Sequence, residues 1–189
     1  ETIASGALST AMGGGTIASG DFSTAMGEFT TASGDFSTAM GNGTTASGEF
    51  STAMGVETIA SGALSTAMGG GTIASGDFST SVGMITTASD YASTAIGQYN
   101  LLGSTVTNNA TQFSTANTAF VIGNGASLNN RSDALTVLFD GTTNIAGSVT
   151  ATSFIGDGSQ LTNLPPNSPF SPNTRSGTGI QSPTNTATG

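Results

Sequence analysis

Glu1–Gly14 reads ETIASGALSTAMGG, and this fourteen-residue frame runs seven times without insertion as far as Gln98. Its skeleton is T-x-A-S-G-x-x-S-T-A-x-G-x-x. A period so short describes a stack of equivalent turns, each covering its neighbour, rather than an enzyme domain. Each turn divides into two similar halves, as in Thr16–Phe22 (TIASGDF) and Ser23–Phe29 (STAMGEF). Seven-residue halves invite a coiled coil. However, a Gly in every half costs a helix about 1 kcal/mol relative to Ala, and the e and g charges of a coiled coil are missing. The pattern predicts a strand of about four residues closed by a Gly turn, twice per repeat.

Strand alternation assigns the faces. In the second half Ser and Ala point one way, Thr and Met the other. One Ala column is Ala11, Ala25, Ala39, Ala53, Ala67, Ser81 and Ala95; its partner is Ala4, Ala18, Ala32, Ala46, Ala60, Ala74 and Ala88. Two columns of methyl groups suit the inside of a thin roll. Met12, Met26, Met40, Met54, Met68, Val82 and Ile96 form an apolar stripe facing away from that interior. Such a stripe needs another chain to cover it, and a three-fold bundle is the simplest closed solution. These residues are the expected trimer interface. Leu8, Phe22, Phe36, Phe50, Leu64 and Phe78, broken at Ala92, lie in the turn after the first Gly. They are expected to pack at the corner of the roll or the seam between chains, in preference to binding a ligand. Stacking seven turns at about 4.8 Å gives a roll roughly 33 Å long.

Asp21, Asp35, Glu49 and Asp77 form an acidic ladder beside that corner. Clustered oxygens favour a hard cation. Here they are one rung apart with no D-x-D-x-D-G loop, so a solvated edge that resists aggregation is preferred to a metal site. Thr2, Thr16, Thr30, Thr44, Thr58 and Thr72 also align, and an outward Thr array is the pattern of an ice-binding solenoid. The adjoining outward position is Ile or Thr, not a regular second Thr row, which argues against one. Glu1–Gly14 is identical to Glu57–Gly70, four turns on, as expected of a fibre lengthened by internal duplication.

Composition excludes several functions. The 189 residues carry eleven acids and two bases, Arg131 and Arg175, for a net charge of −9, with no Lys, His, Cys or Trp. Nucleic acid and anionic membrane surfaces both need basic partners. No apolar run approaches the roughly 20 residues of a membrane-spanning helix. With no His, the usual general bases and most transition-metal sites are lost. Gly13-Gly14-Gly15 and Gly123-Asn124-Gly125 lack a following Lys, so they are not phosphate loops. Asp140 and Asp157 sit in Asp-Gly turns, where Asp serves turn geometry. Arg131 and Asp133 are expected to form a local or interchain ion pair. No two acids fall in a cleft as a glycosidase requires. No enzyme activity, cofactor or metal is expected. The chain opens on Glu1 with no visible signal peptide and is expected to be a fragment or processed product.

Residues 1–98 resemble the head repeat of YadA-like trimeric autotransporter adhesins. The family's S-V-A-I-G strand matches Ser9-Thr10-Ala11-Met12-Gly13 and each later copy. The resemblance implies an all-β, left-handed parallel β-roll in each chain, packed side by side as a rigid extracellular homotrimer. Residues 118–166 contain F-V-I-G-N-G, R-S-D-A-L-T-V and A-T-S-F-I-G-D-G-S-Q-L-T-N-L-P. This string resembles segments of phage-like tail fibres that lie between such a roll and a self-cleaving chaperone. The chaperone's Ser/Lys chemistry is absent from a chain without Lys.

Four segments are therefore expected: the roll over 1–98, a polar transition over 99–117, a tail-fibre-like β shaft over 118–166, and an extended or disordered Pro/Ser/Thr/Asn-rich tail over 167–189. Short strands are predicted at 119–122, 134–139, 143–146 and 148–154. The expected function is a structural and adhesive trimeric fibre, a phage or phage-like tail fibre before a cell-surface adhesin head, bearing on a host glycan, a protein receptor or other fibre subunits. Ice binding and polysaccharide degradation stand behind these.

Overall fold

The computed structural model describes residues 1–102 and 109–153, and among them it is all-β, without a helix. The chain divides into a unit over Glu1–Val149 and another over Thr150–Gly189. The first is a parallel β-solenoid in which each fourteen-residue repeat is one turn. Seven short strands, β1 (Ile3–Ala4), β3 (Ile17–Ala18), β5 (Thr31–Ala32), β7 (Thr45–Ala46), β9 (Ile59–Ala60), β11 (Ile73–Ala74) and β13 (Thr87–Ala88), form one sheet. The long strands β2 (Thr10–Gly14), β4 (Thr24–Glu28), β6 (Thr38–Asn42), β8 (Thr52–Val56), β10 (Thr66–Gly70), β12 (Thr80–Met84) and β14 (Thr94–Gln98) lie in the other. Neighbours pair in parallel with like on like: Thr10 opposes Thr24, Ala11 opposes Ala25, and Met12 opposes Met26.

The two halves of the repeat are unequal, with strands of two and five residues rather than two of about four. The reason lies at the first Gly. A Cβ on Gly20 would stand 2.1 Å from the carbonyl oxygen of Gly34 in the next turn, so the backbones touch there and the chain bends at once. The bend is a β-turn closed by Ser23 N donating to Gly20 O at 3.3 Å. At the other corner Gly27 has φ +125°, and a Cβ there would sit 1.9 Å from Gly41 O. Both Gly columns are therefore demanded by rung-to-rung contact.

The interior holds only small side chains. Ala18, Ala25, Ala32, Ala39, Ala46, Ala53, Ala60, Ala67 and Ala74 have no exposed surface and form one core cluster. The Ser column from Ser23 to Ser79 is buried with them. So is the Thr column: Thr16, Thr30, Thr44, Thr58, Thr72 and Thr86 are fully buried. This corrects the outward Thr array expected from the sequence. Alternation along the short strand puts Thr16 on the side of Ala18, two residues on, and turns Ile17 out. An ice-binding surface made of this column is thereby lost. At Ser81 the Ala column is interrupted, and its hydroxyl lies 2.9 Å from that of Thr86. Beyond it a second small cluster, Ala88, Ala95 and Val121, begins.

The long-strand sheet continues past the repeats. β15 (Thr118–Asn124) pairs in parallel with β14, placing Val121 opposite Ala95, Ile122 opposite Ile96 and Gly123 opposite Gly97. The expected shaft thus starts as an eighth long strand of the roll. β16 (Asp133–Leu138) then adds antiparallel to β15, with register shifts, and β17 (Thr143–Ile145) adds antiparallel to β16. These three match the predicted strands at 119–122, 134–139 and 143–146 within two residues. Residues 148–153 form no strand, contrary to the prediction for 148–154. Pairing with β16 ends where Ala146 N donates to Ala134 O. Phe154, Asp157 and the tail over 167–189 lie outside the described residues.

Candidate functional site

Three side-chain columns and one capped end distinguish the surface of the roll. The Met column lies on the outer face of the long-strand sheet. Met12 is 55% exposed, and Met26, Met40, Met54, Met68, Val82 and Ile96 are partly buried beside outward Thr side chains. Every one of them sits directly opposite its neighbour in register.

The Leu/Phe column occupies the first corner, at the third residue of each turn. Leu8, Phe22, Phe36, Phe50, Leu64 and Phe78 all have φ between 55° and 61°. That region costs an ordinary side chain about 1–2 kcal/mol. Aromatic stacking offsets part of it, at about 0.5–1.5 kcal/mol per pair. Phe22 and Phe36 stack with centroids 4.8 Å apart and planes at 3°, and Phe36 and Phe50 at 4.8 Å and 7°. The spacing is that of the strands themselves. Phe22, Phe36, Phe50, Leu64 and Phe78 remain about half exposed and Leu8 more so. The corner is thus occupied by these side chains from outside.

The acidic ladder does more than face water. Asp21 Oδ1 accepts from Ala7 N at 2.8 Å, Asp35 Oδ1 from Asp21 N at 2.9 Å, and Asp77 Oδ1 from Ala63 N at 2.9 Å. Each carboxylate closes the corner one turn below it by a charge-assisted bond. Where the column ends at Tyr91, Asp77 N donates instead to Ala110 O. Among the described residues no three acids come together in a way that could hold a metal ion.

The second corner carries a feature the sequence reading missed. Its left-handed residue alternates between Gly and a larger side chain over Gly15, Phe29, Gly43, Glu57, Gly71 and Ile85, and the alternation ends at Tyr99. Phe29 folds over Gly15, where a Cβ would meet its ring at 2.7 Å, and Ile85 folds over Gly71, at 3.1 Å. The visible signal was that Gly alternates at this one position of the repeat.

At the C-terminal end the short-strand sheet stops while the long-strand sheet runs on. Asn100, 2% exposed, closes the stopped edge: Thr87 N donates to its Oδ1 at 2.8 Å and its Nδ2 donates to Thr87 O at 2.9 Å. Asp90 replaces the Gly of earlier turns. Among the described residues no further strand follows β13 in the short-strand sheet. Asp90 Oδ2 accepts from Thr118 N at 2.8 Å, and its buried Oδ1 has no partner. Arg131 Nη1 donates to the carbonyls of Ile85 and Asn100 at 3.2 and 3.0 Å. Asp133 Oδ1 accepts from Leu101 N at 2.9 Å. Within the chain the expected local Arg131–Asp133 ion pair gives way to these three backbone hydrogen bonds, which hold the loop after β14. Burial raises the Asp133 carboxyl above the usual range, with the Leu101 and Thr136 bonds working the other way. Asp140 is lowered, chiefly by the Thr142 backbone N–H in its turn. Asp90, Asn100, Val121, Asp133, Leu138 and Ile145 border a cavity of about 320 Å³ beneath the overhanging strands.

Residues 4–29, 32–58 and 60–84 each match the YadA head domain repeat (2 copies). Over residues 4–84 the roll is thus similar to the YadA head repeat. Each match covers about two turns, the span over which the second corner alternates. No curated protein matches the chain. Among the described residues, no helix is long and apolar enough to cross a membrane.

Proposed function

We propose that the chain is a structural and adhesive segment of an extracellular homotrimeric fibre, without catalytic activity, and that the fibre is a tail fibre of a phage or phage-like contractile particle. The observation that carries this function is the uninterrupted roll. Seven turns repeat one backbone and leave an outer stripe of Met on one face and a ladder of Phe on one corner. Uniform turns make a spacer of fixed length, and two unbroken apolar columns on a thin roll call for neighbouring copies. Trimer formation is supported by the head-repeat match, and the interface is assigned to Met12 through Ile96. Support for a tail fibre comes from residues 118–166, with β15 built directly onto the roll. The head-repeat match favours a second reading, a cell-surface adhesin head of autotransporter type.

Immunogold labelling of the producing culture separates the two. Label on particle tails, together with loss of particle adsorption when purified protein is added first, is the expected result. Label over the cell envelope would replace the tail fibre by the adhesin. Sedimentation of the purified chain tests the trimer. Met40→Asp buries an unpaired charge at three symmetric places, so it is expected to leave monomer; an unaffected trimer would remove the Met column from the interface.

A further inference from the structure

A cyclic trimer joins its copies through seams in which one patch meets a different patch of the next copy. In a roll such a seam needs two apolar columns with the same axial spacing. Among the described residues of the second to fourth turns, two columns stay apolar throughout on the outside: Met26, Met40 and Met54 on the long-strand face, and Phe22, Phe36 and Phe50 at the first corner. The outward column of the short-strand sheet is interrupted by Thr31 and Thr45, and the second corner by Gly15 and Gly43. Both unbroken columns share the strand spacing, shown directly by the 4.8 Å between ring centroids.

Their chemistry is complementary. The Phe rings are stacked nearly parallel, so their faces cover one another and their edges are what the solvent meets. A thioether sulfur favours a ring edge, at about 5 Å. Thr24, Thr38 and Thr52 flank the Met residues on the outward side, and Glu28, at the end of β4 and bonded by Asn42, is the one charged residue of these three strands. We infer that in the homotrimer proposed above, on which this inference rests, the Phe ladder of one copy packs edge-on against the Met stripe of the next, giving three identical pinwheel seams. At about 100 Å² for each half-exposed rung, the ladder from Leu8 to Phe78 brings roughly 600 Å² from its own side, most of the roughly 800 Å² per partner of a standard interface.

The chain has no Cys, so engineered thiols report without background. Full-length Phe36→Cys would be co-expressed with a differently tagged full-length chain carrying Met26→Cys, Met40→Cys or Met54→Cys, and mildly oxidised. A covalent heterodimer in at least one of the three mixtures, with neither chain cross-linking to itself, is the expected result. Self-linking of Phe36→Cys would put the ladders together at the axis and overturn the seam, as would self-linking of the Met variants. A trimer by sedimentation with no cross-link at any of the three positions, repeated with Phe50→Cys, would overturn the seam while leaving the trimer standing. A parent chain that sediments as monomer would remove the trimer, and the seam with it. Circular dichroism of each variant checks that the roll has folded, and Phe50→Cys replaces Phe36→Cys if it has not.

Discussion

The Asn100 carboxamide stands in for a missing β-strand, bonding both the N–H and the C=O of Thr87 at 2.8 and 2.9 Å. In each earlier turn the equivalent N–H finds a Thr carbonyl thirteen residues on, as Ile73 N finds Thr86 O at 2.8 Å. After β13 no such strand follows in that sheet, and one side chain supplies both partners. Asn100→Ala strands a buried donor and a buried acceptor, each costing about 1–3 kcal/mol. Thermal unfolding should fall accordingly, and amide exchange at Thr87 should rise before that at Thr45. Asn100→Asp keeps the acceptor alone and should lie between.

Glycine requirements differ sharply between positions of the repeat. A Cβ on Gly34 would lie 2.1 Å from the Gly48 carbonyl oxygen, whereas one on Gly14 meets nothing within 4 Å. Gly34→Ala should therefore cost about 3 kcal/mol or more, since backbone must move in two turns. Gly14→Ala should be neutral or stabilising by about 0.5 kcal/mol through the unfolded chain. Chemical denaturation of the two variants side by side decides this; equal midpoints would remove the close contact from the account.

Core hydroxyls predict an unusual tolerance. Thr72 Oγ1 is buried without a partner, while Thr86 meets Ser81 at 2.9 Å. Ala67 occupies the position of Ser81 one turn earlier and is fully buried. Ala67→Ser should supply Thr72 with the same partner and change stability by less than about 1 kcal/mol. Ala67→Leu, with no space to enter, should cost about 1–3 kcal/mol. Unfolding midpoints of the pair test whether the interior is selected for size before polarity.

Asp133 gives a pH signature. Burial raises its carboxyl above 3.8 in the folded chain, so the folded state holds the proton more tightly than the unfolded one. Its contribution is then most favourable below the unfolded value, and stability is lost as pH rises through the folded value. Asp133→Asn removes that loss and keeps an oxygen for Leu101 N. The melting temperature of the variant relative to the parent should rise between pH 3.5 and pH 7; a difference independent of pH would contradict it.

The period made most of the roll legible, because a side chain repeated every fourteen residues has one environment. Ala, Ser and Met were assigned to the correct faces by alternation alone. The Thr column was misplaced because it was treated as an isolated row, although its spacing of two from the buried Ala already fixed its side. The short first strand was missed because the sequence halves look alike, whereas the contact between Gly20 and Gly34 belongs to neighbouring turns. The capped end was the least legible. Asp90, Asn100 and Arg131 act on partners as far as 46 residues away, and nothing periodic connects them. The Asp133 carboxylate looked like a partner for Arg131 by proximity in sequence, yet backbone groups took both side chains.

The alternation at the second corner limits how such a fibre changes length. From Gly15 to Ile85 each large left-handed residue follows a Gly, as Phe29 over Gly15 and Ile85 over Gly71, and the order breaks only at the end of the roll, where Tyr99 follows Ile85. Between Gly15 and Ile85, gain or loss of one turn would put two large residues, or two glycines, on consecutive rungs. Gain or loss of two turns restores the order. The identity of Glu1–Gly14 with Glu57–Gly70 spans four turns, an even number. Length changes that keep this order come in steps of two turns, about 9.6 Å of reach at a time.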